Sequence, residues 1–279
     1  MATGDDFWIR FWGVRGSIAC PGPETVRYGG NTACLEMRCG QIRLVFDAGT
    51  GIRRLGIEWE RNRQRLRAHI FLSHLHFDHI SGLPFFRPAY DAENCFELWC
   101  GHLLARGTRL QKALQALMQA PFFPVPLEVL HACMAFHDFE AGAVLEPHPG
   151  LRIYTAPLKH PGGATGYRVE YGGRAVCYVS DTEHEEGRRD PDVLALITDA
   201  DLVIYDCTYT DEEFPEYRGW GHSTWQEGVR LCEAAPAGRL VAFHHDPRRD
   251  DEALDRLAQE LDRARPGSLV AREGLVLVP

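Results

Sequence analysis

The sequence lacks the features that mark membrane-spanning and secreted proteins. It contains no run of eighteen apolar residues, so we expect no membrane span. Residues 1–6 are acidic and have neither the basic nor the apolar region of a signal peptide. The nine cysteines are odd in number, form no Cys-x-x-Cys pair, and include Cys34, Cys177 and Cys207 within apolar runs. This usage is typical of buried thiols in a reducing cytoplasm and argues against a disulfide framework.

Positive charge is also scarce. Thirty lysine and arginine residues stand against 39 aspartate and glutamate residues, which gives a net charge of −9 and a pI near 5.8. A protein that grips long nucleic acid usually presents a broad basic face. One local arginine run, formed by Arg61, Arg63, Arg65 and Arg67, is interpreted as a solvated surface. The charge balance therefore disfavours long nucleic acid as a partner.

The residues that are present suit one globular domain. A chain of 279 residues with 45% hydrophobic content can bury a large core. Apolar runs alternate with turn signals, and the sequence contains neither repeats nor low-complexity tracts. We therefore predict a single domain of the α/β class over residues 1–279.

Several elements follow from periodicity and capping signals. We predict a strand over 7–14, a mostly helical segment over 51–67, a helix over 109–119, and two hairpins, within 32–47 and 166–180. Thr224-x-x-Glu227 is a capping box that opens a further helix, and Asp250 caps the last one. Two sheets packed face to face with helices outside satisfy this order, although periodicity alone allows other α/β arrangements.

The most informative segment is Ser73-His74-Leu75-His76-Phe77-Asp78-His79, which follows the apolar run 68–72. Imidazole nitrogens and carboxylate oxygens are ligands that zinc and similar divalent ions prefer. The apolar run predicts a buried strand, so these side chains occupy a loop at its carboxyl end. A histidine-rich surface loop is the alternative, but four ligand-type residues this close together favour a metal site.

Four other apolar runs also end in residues that can bind metal. These residues are His160, Asp181, Asp206 and His244. Taken singly, a carboxylate after a strand is more often a turn former or a helix cap. Strands of one sheet that each deliver a polar residue at their ends gather those residues on one edge. The repeated pattern therefore predicts a shared site.

These motifs resemble those of the metallo-β-lactamase superfamily, and within it the phosphodiesterase branch of ribonuclease Z and the PhnP-type cyclic phosphodiesterases. The resemblance runs from about Phe7 to Val278 and implies a four-layer αβ/βα sandwich. The matching pieces are His74-x-His76-x-Asp78-His79, His160, Ser180-Asp181, Tyr205-Asp206-Cys207-Thr208, Gly221-His222-Ser223-Thr224, His244 and Phe46-Asp47-Ala48-Gly49-Thr50-Gly51.

The resemblance also implies two divalent metal ions and a set of ligands for each. It assigns His74, His76 and His160 to the first ion; Asp78, His79 and His244 to the second; and Asp181 to both. Zinc is favoured, with manganese or iron as alternatives at the second position. His245 is a second candidate beside His244, which we prefer because it directly follows a strand. Asp47 is expected to support the site through hydrogen bonds.

Two further residues are candidates for acid catalysis. The resemblance suggests that His222 donates a proton or hydrogen bond to a phosphate, with Asp206 orienting and charging it; the alternative is that His222 merely packs. Asp78 is counted with them as catalytic through the metal it would bind. His184, in a run of charged residues, is expected to be solvated, and Lys159 is a candidate contact for phosphate.

The leading hypothesis is a dinuclear hydrolase that cleaves a cyclic nucleotide or other small phosphodiester by attack of a metal-bridging hydroxide. The alternatives are a hydrolase of another ester class, such as a lactone, thioester or β-lactam, and a non-enzymatic metal-dependent binding protein. No membrane partner is expected, and a homodimer is left open. The aromatic segment 121–126 is either a lid or a packed connector, and Phe214, Tyr217 and Trp220 are candidates for stacking on a base.

Overall fold

The computed structural model describes residues 7–61 and 64–279, within which fourteen strands and six α-helices occur. The strands are β1 (Phe7–Gly13), β2 (Cys34–Cys39), β3 (Ile42–Phe46), β4 (Arg67–Leu72), β5 (Cys95–Cys100), β6 (Cys133–Asp138), β7 (Val144–His148), β8 (Leu151–Leu158), β9 (Ala164–Tyr171), β10 (Arg174–Val179), β11 (Leu202–Asp206), β12 (Arg239–Phe243), β13 (Leu269–Val270) and β14 (Val276–Leu277). The helices are α1 (Gly51–Arg61), α2 (Phe77–Ile80), α3 (Leu110–Leu117), α4 (Pro191–Ile197), α5 (Trp225–Ala234) and α6 (Asp251–Ala264). Short 3₁₀ turns lie at Pro23–Thr25, Leu83–Phe85, Arg87–Tyr90, Leu104–Arg106, Leu127–Val129 and Phe214–Tyr217.

The strands form two seven-stranded sheets that pack face to face. Their orders are β14-β1-β2-β3-β4-β5-β6 and β13-β12-β11-β10-β9-β8-β7. Aromatic rings from the facing strands meet between the sheets, where the centroid of Phe46 lies 5.3 Å from that of Phe71 and 5.4 Å from that of Tyr167. Each such pair contributes about 0.5–1.5 kcal/mol beyond the apolar area it buries. This shared core joins the two sheets into one sandwich.

Helices cover the outer faces of both sheets. Leu55 of α1 and Leu114 of α3 are buried in a cluster on the outer face of the first sheet. Val193 of α4, Leu231 of α5 and Leu257 of α6 are buried in a cluster on the outer face of the second. Amphipathic helices with one apolar stripe pack in this way because the stripe must be removed from water. The predicted four-layer αβ/βα sandwich is confirmed.

Most local predictions agree with the structure. The Thr224 side chain accepts a hydrogen bond from the Glu227 backbone N–H at 3.0 Å, and Asp250 caps α6 in the same manner at Ala253 N. The helix predicted over 51–67 is too long, because it ends at Arg61 and Arg67 pairs with Cys95 in the β4–β5 ladder. The tertiary pairing overrides local helix propensity there. Arg63 and the acidic segment 1–6 lie outside the described residues.

The arrangement of parallel strands determines where polar side chains collect. β3, β4, β5 and β6 run parallel in the first sheet, and β10, β11 and β12 run parallel in the second. Their carboxyl ends therefore meet at one edge of the sandwich.

The nine cysteines are free thiols, and Cys34, Cys177 and Cys207 are fully buried as predicted. Within the described ranges, none of the helices has both the length and the apolarity needed to cross a membrane.

Candidate metal centre

Every residue that the family resemblance assigned to a metal lies at the edge of the sandwich where the carboxyl ends of the parallel strands meet. The loop between β4 and α2 carries His74 and His76, and α2 carries Asp78 and His79. His160 follows β8, Asp181 follows β10, and His244 follows β12. Their donor atoms form two groups. The outer group consists of His74, His76 and His160, and the inner group consists of Asp78, His79, Asp181 and His244.

The inner group converges on one point. His79 Nε2 lies 3.1 Å from Asp181 Oδ2, 3.3 Å from Asp78 Oδ2 and 3.2 Å from His244 Nε2. His244 Nε2 lies 3.3 Å from the same oxygen of each carboxylate. Four donors placed tetrahedrally about 2.0–2.1 Å from one zinc ion lie about 3.3–3.4 Å from each other. The spacing of the inner group therefore fits a single ion at its centre.

The outer group is spaced less evenly and meets the other oxygen of Asp181. His160 Nε2 lies 2.9 Å from His76 Nδ1 and 3.7 Å from Asp181 Oδ1. His74 Nε2 lies 3.8 Å from that same oxygen. The Asp181 carboxylate thus directs Oδ1 toward the outer group and Oδ2 toward the inner group, so the two groups share this side chain.

An unpaired nitrogen tests whether these residues suit a cation. His74 Nε2 is buried and has no hydrogen-bond partner among the described residues. Burial lowers the pKa of His74 well below its ordinary value, and neighbouring His79 adds to that effect, so the ring is neutral. A buried polar atom without a partner costs free energy unless a ligand satisfies it. A metal ion suits this lone pair, so the outer group fits the cofactor.

The inner group carries a strong preference for positive charge. Burial disfavours the charged form of His79, but Asp181, Asp78 and Asp47 outweigh burial and raise its pKa well above the ordinary value. The buried carboxylates therefore select a cation at this position. A divalent ion satisfies the same demand that a proton on His79 would satisfy.

Asp47 supports the site, as the sequence suggested. Its carboxylate is fully buried and accepts hydrogen bonds from Ser73 N at 2.7 Å, Ser73 Oγ at 2.8 Å and Tyr178 OH at 2.7 Å. It also lies 2.8 Å from His79 Nδ1. A carboxylate on the far nitrogen of a ligand histidine fixes the ring orientation and raises its basicity.

His160 and His244 are oriented in a similar way. His160 Nδ1 lies 2.8 Å from the Gly221 carbonyl oxygen, and His244 Nδ1 lies 3.1 Å from Thr208 Oγ1. The Ser17 backbone N–H donates to Asp78 Oδ2 at 2.7 Å, a contact that no sequence signal indicated because the two residues lie 61 positions apart. The Gly221 and Thr208 partners leave the opposite nitrogen of each ring free to face the centre, whereas Ser17 holds the Asp78 oxygen that itself faces the centre.

Backbone strain is concentrated at the site. Asp47, Asp181 and His244 have φ values of 60°, 60° and 62°, in the left-handed region that non-glycine residues rarely adopt. Such a conformation costs about 1–3 kcal/mol and persists only where the surroundings impose it. Asp47 and His244 directly follow strands and Asp181 lies two residues after one, so the strain turns each side chain from the strand end into the site.

His222 and Asp206 form a separate pair beside the two groups. His222 Nδ1 lies 2.9 Å from Asp206 Oδ2, and Asp206 also accepts from Thr208 Oγ1 at 2.7 Å. Burial opposes charge on His222, but the hydrogen-bonded Asp206 carboxylate outweighs it and raises the pKa of His222 to about 9. Atoms of His222, Asp206, Asp181 and His244 lie within 4.8 Å of one another, so the ring is also within reach of an ion.

Three residues differ from or refine their predicted positions. The expectation that His184 is solvated is wrong, because it is buried and stacks on Phe214 with ring centroids 4.1 Å apart. His245 is fully buried, and its Nε2 lies 2.8 Å from the Ala271 carbonyl oxygen, so it is turned away from the inner group. Lys159 Nζ donates a hydrogen bond to Glu185 Oε1 at 2.8 Å.

Two apolar side chains close in sequence to candidate site residues are exposed. Phe77, between His76 and Asp78, is 70% exposed, and Trp220, which precedes Gly221, is 63% exposed. Of the other aromatic candidates, Phe214 is buried and Tyr217 stacks on Tyr209 at 4.4 Å. Within segment 121–126, Phe122 is 83% exposed while Phe123 packs on Phe85.

Comparisons with known proteins agree on one family. A family model described as a beta-lactamase superfamily domain matches residues 42–245. Ribonuclease Z of Azobacteroides pseudotrichonymphae genomovar. CFP2 is 27% identical over 258 aligned positions, covering 77% of this chain and 81% of the relative. The metallo-β-lactamase fold protein YhfI from Bacillus subtilis aligns over 97% of this chain and 98% of its own, with a TM-score of 0.72 and 19% identity. A diphosphatase from the PhnP family aligns over 97% of both chains, with a TM-score of 0.67 and 16% identity.

Proposed function

The chain belongs to the β-lactamase superfamily, and from that premise we propose that it is a dinuclear metal-dependent phosphodiesterase acting on a cyclic nucleotide or another small phosphodiester. The observation that carries the proposal is the division of Asp181, whose Oδ1 faces one donor group and whose Oδ2 faces the other. A single-ion site has no need for a carboxylate shared in this way. We also propose that residues 1–279 form one domain, since both sheets share one aromatic core.

The ligand assignment follows the two groups. His74, His76 and His160 would hold one ion; Asp78, His79 and His244 would hold the other; and Asp181 would bind both. Zinc is favoured for the histidine-only outer group, and manganese or iron is an alternative for the inner group, which contains carboxylates. When bound, the two ions would activate a water as nucleophile and stabilise negative charge on the phosphate oxygens.

The chain itself supplies the proton for the departing oxygen. The Asp206 carboxylate favours the protonated form of His222 and holds its Nδ1, so that Nε2 is free to face a substrate. An alkoxide that leaves phosphorus needs a proton as the bond breaks. A positioned acid of this kind contributes about 10²–10⁴-fold to the rate.

The surroundings support a small substrate that carries an aromatic group. The net charge of −9 leaves little electrostatic attraction for a long polyanion. Exposed Phe77 and Trp220, each beside a residue of the site, offer faces on which a nucleobase could stack. RNA is the second candidate substrate, because curated relatives over most of the chain are named Ribonuclease Z.

The test combines metal content with a substrate panel. Elemental analysis of protein purified without chelator should give close to two divalent ions per chain. The loaded protein should then be assayed with bis(4-nitrophenyl) phosphate, cyclic nucleotides, a 3′-extended RNA, a thioester and nitrocefin. Turnover of phosphodiesters with none of the thioester or nitrocefin is expected. Metal content near zero after supplementation, or turnover confined to the thioester or nitrocefin, would refute the proposal.

A further inference from the structure

Loop 219–223, which runs from Gly219 to Ser223, sets the position of two parts of the site. Its Gly221 carbonyl accepts from His160 Nδ1 at 2.8 Å, and its His222 faces Asp206. Gly221 has a φ of 86°, and a Cβ placed on it would lie 2.3 Å from His160 Nδ1. Only glycine allows this approach, so a shift of the loop would move His160 and His222 together.

The Glu183 carboxylate holds this loop through its backbone. It accepts from Gly219 N at 2.9 and 2.8 Å and from Gly221 N at 2.8 Å. The Glu183 backbone N–H donates to the Lys159 carbonyl at 2.7 Å, one residue before His160. Hydrogen bonds to an ionised acceptor are roughly twice as strong as neutral ones. Glu183 therefore ties the loop to the segment that carries His160, and it does so two residues after Asp181.

His184 fixes the far end of the same loop. Its Nδ1 lies 2.8 Å from Ser223 Oγ, which in turn lies 2.9 Å from the Tyr205 hydroxyl. The ring is buried against Phe214, so it has little freedom to move. Two consecutive side chains thus contact the residues on both sides of His222.

We propose that Glu183 and His184 are positioning residues, which keep loop 219–223 in place so that His160 is oriented for metal and His222 for the leaving group. This inference rests on the proposed function. Neither residue touches the donor groups directly, and both act through the backbone or hydroxyl groups of the loop. Glu183 is the better residue to substitute, because it is only partly buried and removal of its side chain leaves no cavity in the core.

The experiment compares Glu183→Ala, Glu183→Gln, Glu186→Ala and His222→Ala. Glu186 is a matched control, because it lies in the same segment and pairs with Arg218 next to the loop, but as an exposed ion pair. Zinc affinity is measured by chelator competition. Rates are measured at saturating zinc on bis(4-nitrophenyl) phosphate and on an alkyl phosphodiester, whose leaving group needs a proton.

Glu183→Ala is expected to weaken one of the two zinc sites about 10–100-fold, the range seen when a partner of a metal ligand is removed. It should also slow the alkyl substrate at least about tenfold more than the nitrophenyl substrate, because part of the acid contribution of His222 is lost. Glu183→Gln should restore most of both properties, since its amide oxygen still accepts from the loop. Glu186→Ala should match the unaltered protein.

Two results would overturn the inference. One is a Glu183→Ala protein that equals Glu186→Ala in zinc affinity and in the ratio of the two rates. The other is a uniform loss on both substrates that Glu183→Gln does not rescue and that follows a lower unfolding temperature. If His222→Ala shows no difference between the substrates, the proposed acid role fails, while the zinc affinity of Glu183→Ala still decides the positioning of His160.

Discussion

The two halves of the candidate metal centre are built differently. Every member of the inner group is buried, and its measured donor distances fall between 3.1 and 3.3 Å. In the outer group His76 is exposed, and two of the histidine nitrogens lie 3.7 and 3.8 Å from the shared carboxylate. The inner group is therefore evenly arranged around one point, whereas the distances in the outer group are uneven, from 2.9 to 3.8 Å.

The difference has a structural cause. The residues of the inner group contact buried groups that lie at or just beyond neighbouring strand ends, such as Asp47 for His79 and Thr208 for His244. The outer group depends on loops, since His160 is oriented by the Gly221 carbonyl of loop 219–223. Sites on rigid elements hold their geometry more closely than sites on loops. We therefore expect the inner group to bind its ion more tightly and the outer group to release its ion first to a chelator.

The largest effect is expected from a change to Asp181, whose carboxylate the inner and outer groups share. Asp181→Asn keeps the side-chain shape but removes the charge that faces both groups. The metal content should fall below two per chain, and phosphodiester turnover should fall by several orders of magnitude. Elemental analysis and rate measurements check both. Asp199→Asn is a matched control, because Asp199 is an exposed aspartate with a φ of 54° outside the site. If the Asp181→Asn protein kept two metals and full activity, Asp181 would be only a turn residue with no role in binding metal.

Much of the site could be predicted because its residues follow strands. His160, Asp181, Asp206 and His244 each end an apolar run, and the parallel order of the strands brings such positions to one edge. The dense histidine segment after β4 is recognisable for the same reason. Local order thus indicated a shared site, while the family resemblance supplied the division of its residues into two groups and the role of His222.

What the sequence did not reveal depends on contacts between distant segments. Glu183 and His184 stand in a charged run that is typical of a solvated surface, but His184 is buried by stacking on Phe214 and by its contact with Ser223. The bond from Ser17 N to Asp78 joins residues 61 positions apart. The true end of α1 is another example, because the sheet pairing of Arg67 sets it. No periodicity records such pairings.

The next prediction separates proton transfer from metal binding. His222→Ala should leave both donor groups intact and two metals bound. Its rate on an alkyl phosphodiester should fall by about 10²–10⁴-fold, and its rate on bis(4-nitrophenyl) phosphate should fall less, because nitrophenolate leaves without a proton. His148→Ala, at an exposed histidine on β7, serves as the control. Equal loss on both substrates would indicate charge stabilisation instead, and loss of a metal would make His222 a ligand.

The third prediction has the smallest expected effect. It changes Asp47 and tests the difference between the inner and outer groups directly. Asp47 braces His79 of the inner group and has no contact with His76 or His160 among its hydrogen bonds. Asp47→Asn presents an amide N–H to donors that need an acceptor, so the orientation of His79 should loosen. The inner ion should then bind about 10–100-fold more weakly, while the affinity of the outer ion stays nearly unchanged. Stepwise zinc competition resolves two binding constants. The constant that His244→Ala abolishes belongs to the inner ion, and the constant that His76→Ala abolishes belongs to the outer ion. Tyr178→Phe is the matched control, because it removes one donor to Asp47 and leaves the His79 contact in place. If Asp47→Asn weakened both ions equally, the two groups would have to be regarded as one coupled site, and the separate bracing inferred for the inner group would be wrong.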